Sequence, residues 1–290
     1  MRIVQVLTPP GTRFGVVVDD YVCLLDVDGR SDGFRHLFGA ELSQLSQLAR
    51  ASSERVPFQN AALAAPLSNP SKIVCVGLNY IDHADESDQK LPEVPLLFAK
   101  FPSSIIGPNE SLQWPSGLTE QVDFEAELGV VIGTTLRDGS PRDAREAIFG
   151  YVVANDVSGR DIQFSDGQWV RSKSIDTFCP VGPSIVTADE FGDPQAAQIR
   201  TYVNGVCLQD APTSDMIFPV AELLSWISGQ ITLVPGDLVL TGTPPGVGAF
   251  RTPPIFLKPG DVVDVEIDGI GTLRNPVEGD GVTSKGDLAV

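Results

Sequence analysis

The stretch DFEAELGVVIG, residues 123–133, limits what this chain can fold into more than any other. Read as a strand, it places Asp123, Glu125 and Glu127 on one face and Phe124, Ala126, Leu128, Val130 and Ile132 on the other. Beyond Glu127 it is as apolar as a strand buried on both faces. Alternate residues lie ~7 Å apart, so three carboxylates on one face repel, the more so if they are buried. Two readings follow. The strand is a sheet edge with one solvated polar face, or it turns its carboxylates inward onto a shared cation that offsets the cost of burying them. An oxygen-only ligand set suits a hard ion such as Mg²⁺, Mn²⁺ or Ca²⁺ rather than zinc.

The rest of the chain is strand-rich. RIVQVL, RFGVVV and YVCLLDV open it, separated by turn residues, and KIVCVGL, GYVVANDVS, IRTYVNGV, ITLVPGDLVLTG and DVVDVEIDGIGTL follow, rich in β-branched residues and punctuated by glycine. Helical spacing appears in FRHLFGAELSQLSQLARA, IDHADESDQ, SPRDAREAIF and FPVAELLSWISGQ. Strands and helices do not alternate regularly, which argues against a doubly wound nucleotide fold and for a β-rich α+β class. PLSNPSK (66–72) reads as a linker because its prolines break both patterns. The expected division is a small N-terminal α+β domain over 1–70, a main domain over 71–276 and a polar, glycine-rich tail over 277–290.

A chain of 290 residues with 42% apolar content can bury a sizeable core. Its 38 acidic against 20 basic residues give a net charge of −18, which disfavours nucleic acid and anionic membrane as partners. Cys23, Cys75, Cys179 and Cys207 form no C-x-x-C pair, so reduced thiols in a reducing compartment are expected. The opening MRIVQVLTPPGTR is too briefly apolar for a signal segment, and no run approaches the ~18 apolar residues of a membrane span. The expected location is the cytoplasm.

Further candidates are few. Asp156 follows an apolar strand in GYVVANDVSGRD, where a carboxylate serves as an Asx-turn, a helix cap or a third metal ligand. If it meets Glu125 and Glu127, open positions remain for water and substrate. Of the two histidines, His36 is expected to pack or face solvent, while His83 has Glu86 three residues on, within reach on a helix. That pairing is a surface polar cluster or a base oriented by an acid. Lys173 in QWVRSKSIDTFCP is a surface lysine or a cation for an anionic substrate or oxyanion. LTGTPPGVG (240–248) lacks the G-K-[ST] of a P-loop. It is a rigid turn, or a loop whose N–H groups and Thr243 hold a carboxylate.

KIVCVGLNYIDHADE, VDFEAELGVVIG, FGYVVANDVSGRDIQ, QWVRSKSIDTFCPVGP, TSDMIF, LVPGDLVLTGTPPGVG and FLKPGDVVDVEIDGIGTLRNPV, in that order over residues 72–276, resemble the fumarylacetoacetate hydrolase family. The resemblance implies a mixed β-sheet roll or sandwich, usually a homodimer, with a small N-terminal domain as in many bacterial members. It implies Glu125, Glu127 and Asp156 as Mg²⁺ or Mn²⁺ ligands and His83–Glu86 as a water-activating pair. Lys173, Gln163, Thr243, Arg160 and Tyr80 fall at substrate-side positions. Asp123 matches no ligand, which implies a supporting role, and SDQKLPEVP falls in a lid that varies with substrate.

The expected activity is therefore metal-dependent hydrolysis of a C–C bond in a 2,4-dioxo acid of the acylpyruvate or fumarylpyruvate type. It would release pyruvate and a carboxylic acid, as in the catabolism of aromatic or sugar acids. Decarboxylation of an oxaloacetate-like acid, or isomerisation or decarboxylation of a 2-hydroxy-dienedioate, would use the same site. A non-catalytic protein that binds metal and a 2-oxo acid is the alternative of another class.

Overall fold

Runs of valine, isoleucine and leucine make strands because branched side chains pack well on a pleated surface. The computed structural model describes residues 1–9, 11–28, 37–38 and 42–278; His36 and the tail from 279 lie outside them. Among the described residues twelve strands share one large sheet. Its main path runs Arg55–Pro57, Tyr21–Asp28, Gly11–Val18, Arg2–Thr8, Cys179–Thr187, Ile148–Asn155, Ala126–Ile132, Leu238–Leu240, Ile73–Gly77 and Leu96–Lys100. Neighbours on this path are antiparallel except Leu238–Leu240 beside Ile73–Gly77.

A second, antiparallel sheet of four strands joins Val206–Pro212, Gln198–Val203, Val262–Ile267 and Gly271–Pro276. The segment IRTYVNGV turns within itself: Asn204 and Gly205 both take positive φ, the geometry of a tight hairpin. The small sheet and the helix Val220–Ser228 cover one face of the large sheet over an apolar layer that includes Leu128, Val130, Leu223 and Val265. All seven residues of Ala126–Ile132 are buried, as expected of a strand covered on both faces. The result is the β-rich α+β roll that the sequence suggests.

The other face joins the first residues to the rest. Ile3, Phe14 and Leu45 pack in one cluster with Cys75, Val152 and Leu240. Arg2–Thr8 also pairs with Cys179–Thr187, so the sheet runs without a break across the boundary placed near residue 70. As a separate folding unit, 1–70 stays a proposal. Residues 66–72 carry no helix or strand, and Leu67 packs in that same cluster.

Several strands lie outside the segments that read as strands in the sequence, two of them longer than three residues. Cys179–Thr187 contains Pro180 and Pro183, which argue against a central strand. Leu96–Lys100 is a short edge strand of the main path. The opening stretch also differs from a single strand. Val122–Asp123 pairs with Ser158–Gly159, and the ladder with Ile148–Asn155 starts only at Ala126. In the gap, side chains replace the ladder: Glu125 N–H donates to Asn155 Oδ1 at 3.0 Å, and Ala126 N–H donates to Gln209 Oε1 at 3.0 Å.

Candidate active site

The register between the two central strands builds the acidic centre. Ala126 pairs with Asn155 and Glu127 with Ala154, so Glu125 stands beside Asp156 where both strands end. Asp156 N–H donates to the Glu125 carbonyl at 2.9 Å, which fixes that end. Glu125, Glu127 and Asp156 are buried, and each presents an oxygen within 4.8 Å of the others. The edge-strand reading fails here, because the face carrying these acids is covered.

Burying anions requires cations, and the chain supplies three. Lys173 Nζ bridges Glu125 Oε2 at 2.6 Å and Asp156 Oδ2 at 2.7 Å. Lys100 Nζ donates to Asp156 Oδ1 at 2.6 Å, both side chains fully buried. Arg160 Nη2 pairs with Glu125 Oε1 at 2.7 Å, its Nε with Asp123 Oδ2 at 2.8 Å, and its Nη1 donates to Gln163 Oε1 at 2.8 Å. Burial pushes the Glu125 carboxyl up, but Lys173 and Arg160 outweigh it and hold the group well below the usual carboxylate range. Burial would likewise lower Lys173, yet Asp156 and Glu125 hold its ammonium above the usual lysine value.

Glu127 is the exception. It accepts a hydrogen bond from Gly242 N–H at 2.7 Å, and no side-chain cation among the described residues pairs with it. Burial, then the neighbouring Asp156 and Glu125 charges, push its pKa well above the usual range. Four buried carboxylates, counting Asp123, thus face three buried cations, and the missing charge falls at Glu127. Three carboxylates within reach of one point, one of them without a counter-charge, fit a hard divalent ion. Glu125, Glu127 and Asp156 could hold it.

Asp123, which shares the strand face with Glu125, has another task. Its carboxylate accepts from Phe124, Gly248 and Ala249 N–H at 2.9, 2.7 and 2.9 Å, as well as from Arg160. The loop expected to hold a substrate carboxylate is likewise bound to protein acids. Gly242 holds Glu127, Gly248 and Ala249 hold Asp123, and Gly246 N–H donates to Glu86 Oε2 at 2.8 Å. Glycine is required in this loop. A Cβ at Gly248 would lie 1.8 Å from the Ile255 carbonyl oxygen, and Gly246 takes φ +103° with Leu208 O where its Cβ would go. Thr243 accepts from Gln209 Nε2 at 2.8 Å.

His83 and Glu86 lie on the helix Ile81–Glu86, and His83 Nδ1 is 2.7 Å from Glu86 Oε1. Leu78, just before this helix, takes φ +55° without being glycine, and Asn79 locks the bend through bonds to Thr241 and Phe218. A cavity of about 290 Å³ joins these groups: His83, Glu125, Glu127, Arg160, Lys173 and Thr243 all line it, as does Gln163. Tyr80 does not. Its ring is fully buried and its hydroxyl has no hydrogen-bond partner. Burial, then the Glu127 and Asp215 charges, raise that phenol well above the usual tyrosine value. A wider hollow beside Trp114 and Arg171 holds none of these groups.

Lys100 went unread in the sequence, where LLFAK shows only a lysine closing an apolar run. That position was the available signal, because a lysine there must leave the sheet or be buried with a partner. The helices that carry Arg160, Gln163 and Lys173, Arg160–Ser165 and Val170–Lys173, were also missed, being too short for periodicity to register.

Fold and site define a class: β-rich α+β proteins with a buried all-carboxylate centre opening on a small cavity beside a His–Glu pair. The family model described as fumarylacetoacetate (FAA) hydrolase C-terminal matches residues 72–278. The chain belongs to the fumarylacetoacetate hydrolase family. It is 41% identical over 288 residues to oxaloacetate tautomerase fahd2, mitochondrial, of Xenopus laevis, covering 96% of this chain and 90% of that protein. The solved structure of 2-hydroxyhepta-2,4-diene-1,7-dioate isomerase from Mycobacterium marinum matches with TM-score 0.77 and 39% identity, over 97% of this chain and 99% of that one. Fumarylacetoacetate hydrolase from Exiguobacterium antarcticum matches with TM-score 0.84 and 38% identity, over 96% and 99%. These relatives are named as enzymes, for a tautomerase, an isomerase and a hydrolase.

Proposed function

We propose that this chain is a divalent-metal-dependent enzyme of 2-oxo acids whose central step is proton transfer at the carbon beside the keto group, that is, keto–enol tautomerisation. One observation carries the reading: a single cavity joins an all-carboxylate centre, a buried lysine and a histidine oriented by a glutamate. The names of the Xenopus and Mycobacterium relatives, a tautomerase and an isomerase, support it over C–C hydrolysis as the first reading. An Mg²⁺ or Mn²⁺ ion held by Glu125, Glu127 and Asp156 would supply positive charge beside the substrate carboxylate and keto oxygen. With Nδ1 turned to Glu86, His83 has Nε2 left to take the proton from carbon, and Glu86 stabilises the imidazolium that results. Lys173 directs its remaining proton to the oxygen where charge develops. His83 then returns its proton to that oxygen, and the enol leaves.

The same pair favours hydrolysis as a second reading. His83 Nε2 could instead take a proton from water as the water oxygen attacks the second carbonyl of a 2,4-dioxo acid. The bond between that carbonyl carbon and the methylene then breaks, its electron pair passing to the pyruvate fragment, whose carbon takes the proton back from His83. We further propose a homodimer in a reducing compartment. No described helix is long and apolar enough to cross a membrane, and the name of the Xenopus relative places that protein in mitochondria.

With Mg²⁺ or Mn²⁺ present, the enol absorbance of oxaloacetate and of acylpyruvates should decay faster with protein than without. Pyruvate release from acylpyruvates, with no effect on the enol decay of oxaloacetate, would replace the first reading by the second. No turnover of any 2-oxo acid, with metal bound, would leave a binding protein.

A further inference from the structure

Beside its polar groups the cavity is lined by aromatic and aliphatic side chains. Phe98 stands next to the Lys173 ammonium, with Nζ 5.1 Å from the ring centroid, and Phe250 lies under the Arg160 guanidinium at 5.9 Å. Beyond them the wall continues as carbon. Trp169 packs edge-on against Phe98 with centroids 5.3 Å apart, and Phe164 lies 6.5 Å from Phe250. Leu96 completes this wall. Gly77 is what lets Trp169 close it, because a Cβ there would meet the indole at 2.9 Å and Leu96 at 3.3 Å.

The cations that line the cavity are already engaged. Arg160 is turned to Asp123, Glu125 and Gln163, and Lys173 to Glu125 and Asp156. His83 is turned to Glu86. The other polar side chains that line the cavity, Ser87 and Gln89, are neutral. A second carboxylate placed there would lose its water and gain no cation. An apolar group would cover Leu96 and Phe164, which are 41% and 62% exposed.

We infer that the substrate is a 2-oxo acid whose remote end is an alkyl or aryl group rather than a second carboxylate. The inference rests on the 2-oxo acid reading of the site. It departs from the dicarboxylates that the names of the Xenopus and Mycobacterium relatives carry.

The test uses oxamates, which keep the vicinal carbonyl and carboxylate of a 2-oxo acid but have no carbon to deprotonate. Binding of oxamate, N-phenyl oxamate, N-pentyl oxamate and N-(4-carboxybutyl) oxamate to the Mg²⁺-loaded protein is measured by calorimetry. The phenyl and pentyl forms should each bind about tenfold or more tighter than oxamate, the effect of burying a few methylene equivalents. The carboxybutyl form should bind about tenfold weaker than the pentyl form, since its charge finds no partner. Trp169→Ala and, independently, Leu96→Gln should each shrink the pentyl-to-oxamate ratio. Equal affinity for the pentyl and carboxybutyl forms, or a ratio unmoved by both substitutions, would overturn the inference and leave the 2-oxo acid reading intact. Failure of all four oxamates to bind would overturn both.

Discussion

Replacing Lys100 by methionine pulls stability and metal affinity in opposite directions. The Lys100 side chain is fully buried and donates to Asp156 Oδ1 at 2.6 Å and to the Val157 carbonyl at 3.2 Å. Methionine keeps most of the volume and the apolar stem but leaves Asp156 with Lys173 as its one ionic partner. Removing one member of a buried ion pair costs about 3–5 kcal/mol. The remaining Lys173 contact places Lys100→Met near the lower figure. The same change makes the acidic centre more negative. A unit charge ~6 Å from an ion, at an effective dielectric of ~20, is worth about 3 kcal/mol per unit of charge on that ion. Even if relaxation cancels most of this, Mn²⁺ should bind at least about tenfold more tightly, which needs only about 1.4 kcal/mol. Urea midpoints without metal measure the first effect, and Mn²⁺ calorimetry measures the second. A lysine that merely fills space would lower the midpoint and leave Mn²⁺ affinity unchanged or weaker. That result would refute the charge accounting.

Four further outcomes follow from the same geometry. Glu127→Gln should weaken Mn²⁺ binding by at least about tenfold while leaving the metal-free melting temperature equal or higher, because the amide keeps an acceptor for Gly242 N–H and removes a buried anion without a counter-charge; a fall in melting temperature would contradict the shortage of positive charge there. Glu125→Gln differs by leaving Arg160 and Lys173 short of a partner, so metal affinity and metal-free stability should both drop, read by calorimetry and thermal melts. His83→Ala should keep Mn²⁺ affinity and lower kcat by roughly 10²–10⁴-fold, the usual share of a general base; retained turnover would dismiss the histidine. Ser140→Ala removes the capping box that starts the helix Pro141–Glu146, far from the cavity, and should cost about 1 kcal/mol in thermal or urea unfolding with turnover unchanged.

What the sequence could and could not show has a physical pattern. Strand character was legible where branched residues run together, as in Ile148–Asn155 and Val262–Ile267, because packing on a pleated face selects them locally. Cys179–Thr187 was not legible. Its two prolines obey a local rule that is overridden where Arg2–Thr8 and Ile148–Asn155 flank it. Glu125, Glu127 and His83 could be singled out because a carboxylate inside an apolar run, or a rare histidine with an acid three residues on, stands out from its surroundings. The pairing of the counter-charges with these acids could not, although Lys173 was singled out as a cation. Lys100 follows an unremarkable LLFA, and Lys173 and Arg160 sit on helices of four and six residues that no periodicity reveals. Their roles depend on which acids they meet across the fold, and no window of sequence holds that information.

The three acids of DFEAELG therefore share a face but not a function, and the contacts of each decide which is which. Asp123 is fully satisfied by protein: three backbone N–H groups and Arg160 leave its carboxylate no capacity for an ion. Glu125 is satisfied by charge, since Arg160 and Lys173 each take one of its oxygens. A metal there shares its ligand with cations that restrain it, which fixes the carboxylate and moderates affinity. Among the described residues Glu127 alone of the three lacks a counter-ion, and burial beside the Asp156 and Glu125 charges pushes its pKa well above the usual range. The gradient from Asp123 through Glu125 to Glu127, set by one arginine and one lysine from a neighbouring segment, lets a buried strand carry an acidic face and still leave it one charge short.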